Sequence, residues 1–137
     1  MNIDQFVSRL DELGLFASVE GISALSVVKD VPLGNPAAFV FEAESAAGPN
    51  ERMNGVLQRV ESDIAVVIVV QNDTTALGGA ALMEAQPLED AVLRSLLGWQ
   101  PAGVEDVVTF VRAVTVKARA GQVWRELTFA VATYLED

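Results

Sequence analysis

Apolar residues first recur at helical spacing. Ile3, Phe6, Val7, Leu10 and Leu13 fall on one face, while Asp4, Arg9, Asp11 and Glu12 fall off it. Asn2 has the chemistry of an N-cap and Gly14 that of a C-terminal stop. LFASVE then predicts a short strand. Residues 24–29 fit either one helical turn or a continuation of that strand. VPLGNP, with two prolines and a glycine in six residues, is chain punctuation. AAFVFE (37–42) predicts a buried strand. Ile64 to Val70 is apolar at every position, so it predicts a strand in mid-sheet, covered on both sides or covered on one by a neighbouring subunit.

A second helix is predicted over 74–98. Ala81, Ala85, Leu88, Val92, Leu96 and Trp99 step along one face. Thr74 or Thr75 would cap it, Arg94 sits where the helix dipole favours a cation, and Gly98 stops it. Pro87 predicts a kink or a restart. Residues 104–135 then read as a hairpin around the turn ARAGQ. In its first strand Val114 and Val116 alternate with Thr115, Lys117 and Arg119, a half-buried pattern. In its second, Val123, Leu127, Phe129, Val131 and Leu135 share a face with Arg125 and Thr133. The opposite face holds Trp124, Glu126, Thr128, Ala130, Ala132 and Tyr134. The fold class is α+β, one domain over 1–137, with helices on a mostly antiparallel sheet.

Between two apolar strands lies AESAAGPNERMNGVLQRVESD (43–63), long for a connection inside a compact domain. Val56, Gln58, Val60 and Ser62 are in phase with Val66, Ile68 and Val70, so the second strand is expected to begin near Val56 and run some 15 residues, about 50 Å. The loop shrinks to Ala43–Gly55. It reads as a mobile surface loop or as a hairpin arm whose tip, AAGPNERMNG, docks on another molecule and orders there. The arm supplies the candidate contacts Gly48, Pro49, Asn50, Glu51, Arg52, Met53, Gln58 and Arg59.

Composition narrows the chemistry. The chain has 137 residues, 51% apolar and 20% charged, enough for a core without staples. It has no cysteine and no histidine, which excludes disulfides, thiol chemistry, zinc–histidine sites and serine–histidine catalysis within the chain. Adjacent acids at 11–12, 89–90 and 105–106 point in different directions and make poor metal sites. No Walker loop or EF-hand spacing occurs, so no metal, cofactor or catalytic residue is expected.

The net charge is −10, against general nucleic-acid binding. Residues 1–106 hold 16 of the 19 acids but only five of the nine bases, so the C-terminal part is slightly basic. Lys117, Arg119 and Arg125 flank the hairpin turn. They read as a solvated tip that resists edge aggregation, or as a plug for an acidic surface on another copy. Trp99 and Trp124 suit core packing or interface anchoring. No signal peptide or spanning segment is seen, which suggests a soluble cytoplasmic product.

PAAFVFEAESAAGPN, VLQRVESDIAVVIVVQND, PLEDAVLRSLLGWQP and GQVWRELTFAVATY, in that order behind an amphipathic helix, resemble the small tail terminator proteins of long-tailed bacteriophages and prophages. Residues 19–33 carry nothing of the resemblance. It implies an α+β virion protein that forms a ring, usually a hexamer, at the head-proximal end of the tail. Such a ring stops tube polymerisation, meets the major tail tube protein and the head–tail connector protein, and lets DNA pass without gripping it. Another head–tail joining or tail-completion subunit, or a small carboxylate-based enzyme or ligand-binding domain, are the alternatives.

Overall fold

The computed structural model describes residues 2–28, 34–75, 77–119 and 121–137. Lys29, the first three residues of VPLGNP and Ala120 of the hairpin turn lie outside the described residues. Helix α1 (Asp4–Asp11) buries Phe6 and Leu10 completely. Ile3 already has helical dihedrals, and the Asn2 side chain accepts a hydrogen bond from the Asp4 N–H at 2.9 Å, so Asn2 does cap the helix. Strand β1 is Ser18–Gly21, and the undecided stretch after it forms one 3₁₀ turn, Leu25–Val27.

Helix α2 (Gly79–Leu96) buries Ala81, Ala85, Val92 and Leu96, four of the six residues expected on its core face; Leu88 and Trp99 pack against the same core. It starts five residues later than the expected boundary. Thr75 Oγ1 accepts from the Ala80 N–H at 3.0 Å, while Thr74 turns back to Asn72 Oδ1 at 2.7 Å. Thr74 and Thr75 therefore serve the turn and the cap ahead of the helix. Pro87 neither breaks nor restarts the helix, which is continuous through it. Buried Ala81 and Ala85 before it and Val92 and Leu96 after it pack into the same core.

Strands β2 (Ala37–Ala47), β3 (Leu57–Gln71), β4 (Thr109–Arg119) and β5 (Gln122–Glu136) join β1 in one sheet of order β1-β2-β3-β5-β4. The β1–β2 pair is parallel and the other three are antiparallel. Strand β3 is central, with Ile64 opposite both Glu42 and Phe129. Both its faces are buried within the chain. Toward the helices, Ile64, Val66, Ile68 and Val70 meet Phe6, Leu96, Leu127 and Phe129. On the other face, Ala65, Val67 and Val69 pack with Phe39, Phe41 and Trp124, covered by Ile22, Leu25 and Val28. The segment after β1 thus does the covering that a neighbouring subunit was one way to supply.

Two strand expectations are corrected. Strand β2 does not stop at Glu42 but runs on to Ala47 through a bulge at Glu42/Glu44. Its last six residues are exposed, so no apolar pattern marked them. The first hairpin strand is not half-buried: β4 is an edge strand, exposed over nearly its whole length. Bulges at Phe110/Arg112 and Thr115/Lys117 also break its alternation. No helix among the described residues is long and apolar enough to cross a membrane.

Candidate functional site

Past the level of Ile64 the sheet leaves its helices behind. There β2 (from Glu42), β3 (Leu57 to Ser62) and β5 (Val131 to Glu136) continue as a three-stranded arm, whose base at Ser62, Val131 and Ala132 is still buried. Beyond that base the β3 residues Leu57 to Glu61 project about 17 Å. Inside the arm Ser62 is buried, 2.8 Å from Ser45 across the strands, Oγ to Oγ. The arm is wider than the two-stranded hairpin expected from 43–63, because β5 pairs along its whole length.

The tip, residues 48–56, is tied at many points. The Asn50 side chain donates to Gly55 O at 3.0 Å, and its Oδ1 accepts from the N–H groups of Leu57 and Arg52 at 2.9 and 3.2 Å. Glu51 N–H donates to Leu57 O and Gly48 N–H to Arg59 O, each at 2.8 Å. Gln58 Nε2 donates to Gly48 O at 3.0 Å. Arg52 pairs with Glu136, and Val56 N–H donates to Asp137 Oδ1 at 2.7 Å. The far C-terminal residues thus close the tip, a partnership 80 residues away in sequence that no local pattern could announce. Met53 is fully exposed at the apex. Below it, Ala46, Ala47, Pro49, Arg59 and Tyr134 line a groove of about 500 Å³. Arg59 lies 3.8 Å from Asp106 in an exposed pair that contributes little.

The other sequence-derived candidates lie elsewhere. Lys117 and Arg119 are on β4 near the hairpin turn. Arg119 is level with Gln122 and Gln71, 13 residues along β3 from Gln58, or about 43 Å. Lys117 Nζ sits 4.8 Å over the ring of Trp124. Trp124 is 3% exposed and stacks on Phe39 at 6.2 Å, and its Nε1 has no hydrogen-bond partner among the described residues. Arg125 points to the helix side, where its Nε is 2.5 Å from Glu89 Oε1 of α2. Trp99 is half-buried, edge-on to Phe6 at 5.1 Å and beneath the Arg9 guanidinium at 4.6 Å. Arg9 Nε also donates to Ser95 O at 2.8 Å, fastening α1 to the end of α2. These three candidates are accounted for by contacts inside the chain; the arm tip, Lys117 and Arg119 remain at the surface.

A surface that sequence reading missed is the exposed edge strand β4, whose side chains lie on both faces. Phe110, Val111, Val114 and Val116 are each 38–44% exposed there, beside Arg112, Lys117 and Arg119. Of these, Val114 and Val116 carry the alternation that predicts a half-buried strand. Among the described residues no group of three or more acids is arranged to hold a metal ion. The geometry offers edges, a projecting arm and a shallow groove, which suit macromolecular contact.

Residues 1–137 match the family model described as Phage tail terminator protein. The fold is similar to a solved chain from the "Virion of native gene transfer agent (GTA) particle", with a TM-score of 0.56 and 18% identity, covering 92% of this chain and 84% of that one. No curated protein sequence matches.

Proposed function

The chain belongs to the phage tail terminator protein family and is a structural tail protein, and on that premise we propose that it forms a ring, six copies round, that caps the completed tail tube. The ring ends tube polymerisation and presents its other face to the head–tail connector protein. DNA passes through it without sequence-specific contact, and the surplus of acidic side chains keeps phosphates from adhering. No bond is made or broken by the protein in this role.

The observation that carries the reading is the family match over the whole chain, joined to a sheet that projects an ordered arm beyond its core. An arm tip closed by its own hydrogen bonds loses little entropy on docking, which favours tight contact. Gly48 to Met53, with Gln58 and Arg59, are the proposed contacts to the tail tube or an adjacent copy. Lys117 and Arg119 contact a neighbouring copy. Trp99, Trp124 and Arg125 hold the elements that present those contacts.

The test uses the full chain. Light scattering and electron microscopy, with and without purified tail tubes, should find rings of about six copies or rings on tube ends. A strict monomer that also leaves tube ends bare overturns the proposal. Deleting residues 46–54 should abolish capping while the core still melts cooperatively; capping that survives the deletion removes the arm from the mechanism.

A further inference from the structure

We propose that copies associate head to tail by edge pairing: β4 of one copy lies antiparallel to the Glu42–Ala47 segment of the next. The inference rests on the self-associating ring proposed above and names the surface that builds it. Both edges are accessible by construction. Among the described residues strand β4 pairs only with β5, on its inner side. On the opposite edge β1 pairs with β2 only as far as Val40, and Ile22 adds one bond to Val40 O. From there β2 runs on as the outer strand of the arm.

Strand direction fits a ring. Three successive antiparallel pairings separate β2 from β4, so the two edges run in opposite senses. Rotation about an axis along the strands preserves each strand's sense. A rotated neighbour therefore brings β4 against β2 antiparallel, with N–H and C=O groups in position to bond. The arm projects beyond β4, so the pairing is staggered along the strands, as closed sheets require.

Charge selects this pairing over its competitors. Strand β4 carries Arg112, Lys117 and Arg119 and no acid. The β2 segment carries Glu42 and Glu44 and no base, with Glu61 and Asp63 on the strand beside it. Pairing β4 with a second β4 across a two-fold axis would oppose cation to cation, and β2 with β2 would oppose carboxylate to carboxylate. Size is complementary as well: exposed Phe110, Val111, Val114 and Val116 face a segment whose apolar residues are Ala43, Ala46 and Ala47. An 11-residue edge with four exposed large hydrophobics is a liability unless something covers it.

Two full-length variants test it. Arg112→Glu/Arg119→Glu makes both edges acidic, and Glu44→Arg/Glu61→Arg/Asp63→Arg makes both basic. Each alone should stay monomeric by light scattering, and an equimolar mixture should rebuild an alternating assembly, counted by native mass spectrometry. Variants that assemble alone as the wild type does, or a mixture that stays monomeric while both variants melt normally, overturn the pairing and leave the ring intact. Wild-type protein that never self-associates, with or without tail tubes, overturns the ring itself and this surface with it. The absence of cysteine gives a gentler second test. Val114→Cys/Ala46→Cys, treated with a short bismaleimide, should give a ladder of covalent multimers, and each single variant should give none. Dimers from a single variant overturn the head-to-tail arrangement.

Discussion

Replacing Gly121 by alanine tests how the hairpin turn is locked to the end of the central strand. Gly121 has φ +74°, and its carbonyl accepts from the Asn72 N–H at 2.6 Å. An added Cβ would lie 1.9 Å from Asp73 Oδ1, 3.0 Å from its Cγ and 3.1 Å from its Cα. Two costs therefore combine. The left-handed backbone costs about 1–2 kcal/mol for a residue with a Cβ. The crowding costs about 1–3 kcal/mol more, because the Asp73 carboxylate must swing away and its backbone must give. Gly98 is an internal control: φ is +77° and nothing lies within 4 Å of a Cβ there. Gly98→Ala should thus show the backbone cost alone. With an unfolding entropy of about 2.1 cal/mol/K per residue, each kcal/mol shifts the Tm of this chain by about 3.5 °C. Gly121→Ala should lower Tm by about 7–17 °C and Gly98→Ala by about 3–7 °C. In an Asp73→Ala background the Gly121 deficit should shrink toward the Gly98 value. Differential scanning calorimetry of the four variants decides it. A Gly121→Ala loss no larger than that of Gly98→Ala, or one unchanged by removing the Asp73 carboxylate, would refute the steric account.

Two further outcomes are expected. Glu89 and Arg125 form an ion pair whose side chains keep only 14% and 21% of their surface exposed, so Glu89→Gln or Arg125→Met alone should cost about 1–3 kcal/mol, scaled down for residual solvent. The double variant should cost less than the sum in a urea double-mutant cycle, and strict additivity would mean the contact contributes nothing. Asn50→Ala removes three hydrogen bonds confined to the arm tip. Hydrogen exchange at the Arg52 and Leu57 amides should quicken about tenfold, at about 1.4 kcal/mol of local protection, while global stability changes little. Protection that persists would show that backbone pairing alone holds the tip.

Much of the fold was legible because burial and periodicity coincide. The α2 face through Ala81, Ala85, Val92 and Leu96 could be read from spacing, since each of those side chains is buried in one core. The phase of β3 could be read back to Val56 because Ser62 and Val60 continue the helix-side face of Ile64. Where burial fails, the signal fails with it. The second half of β2 is exposed, and its sequence reads as loop. The β4 pattern pointed to a half-buried strand, yet its apolar side chains lie at a sheet edge. The candidate site was legible in its arm-tip residues, whose Gly, Pro and Asn content announces a turn. Tyr134, Glu136 and Asp137 were not, since they join the tip only through β5.

By itself the sequence determined the helices, the apolar central strand, the closing hairpin, and the exclusion of histidine and cysteine chemistry. These follow from side-chain period and composition, which are local properties. Tertiary structure alone decided the strand order, the parallel β1–β2 pair and the burial of Trp124. It also decided the engagement of Arg125 by Glu89 and the placing of a basic edge and an acidic edge on opposite sides of one sheet. Each of these depends on which distant segments share backbone hydrogen bonds, and a strand's own residues do not encode the identity of its neighbour.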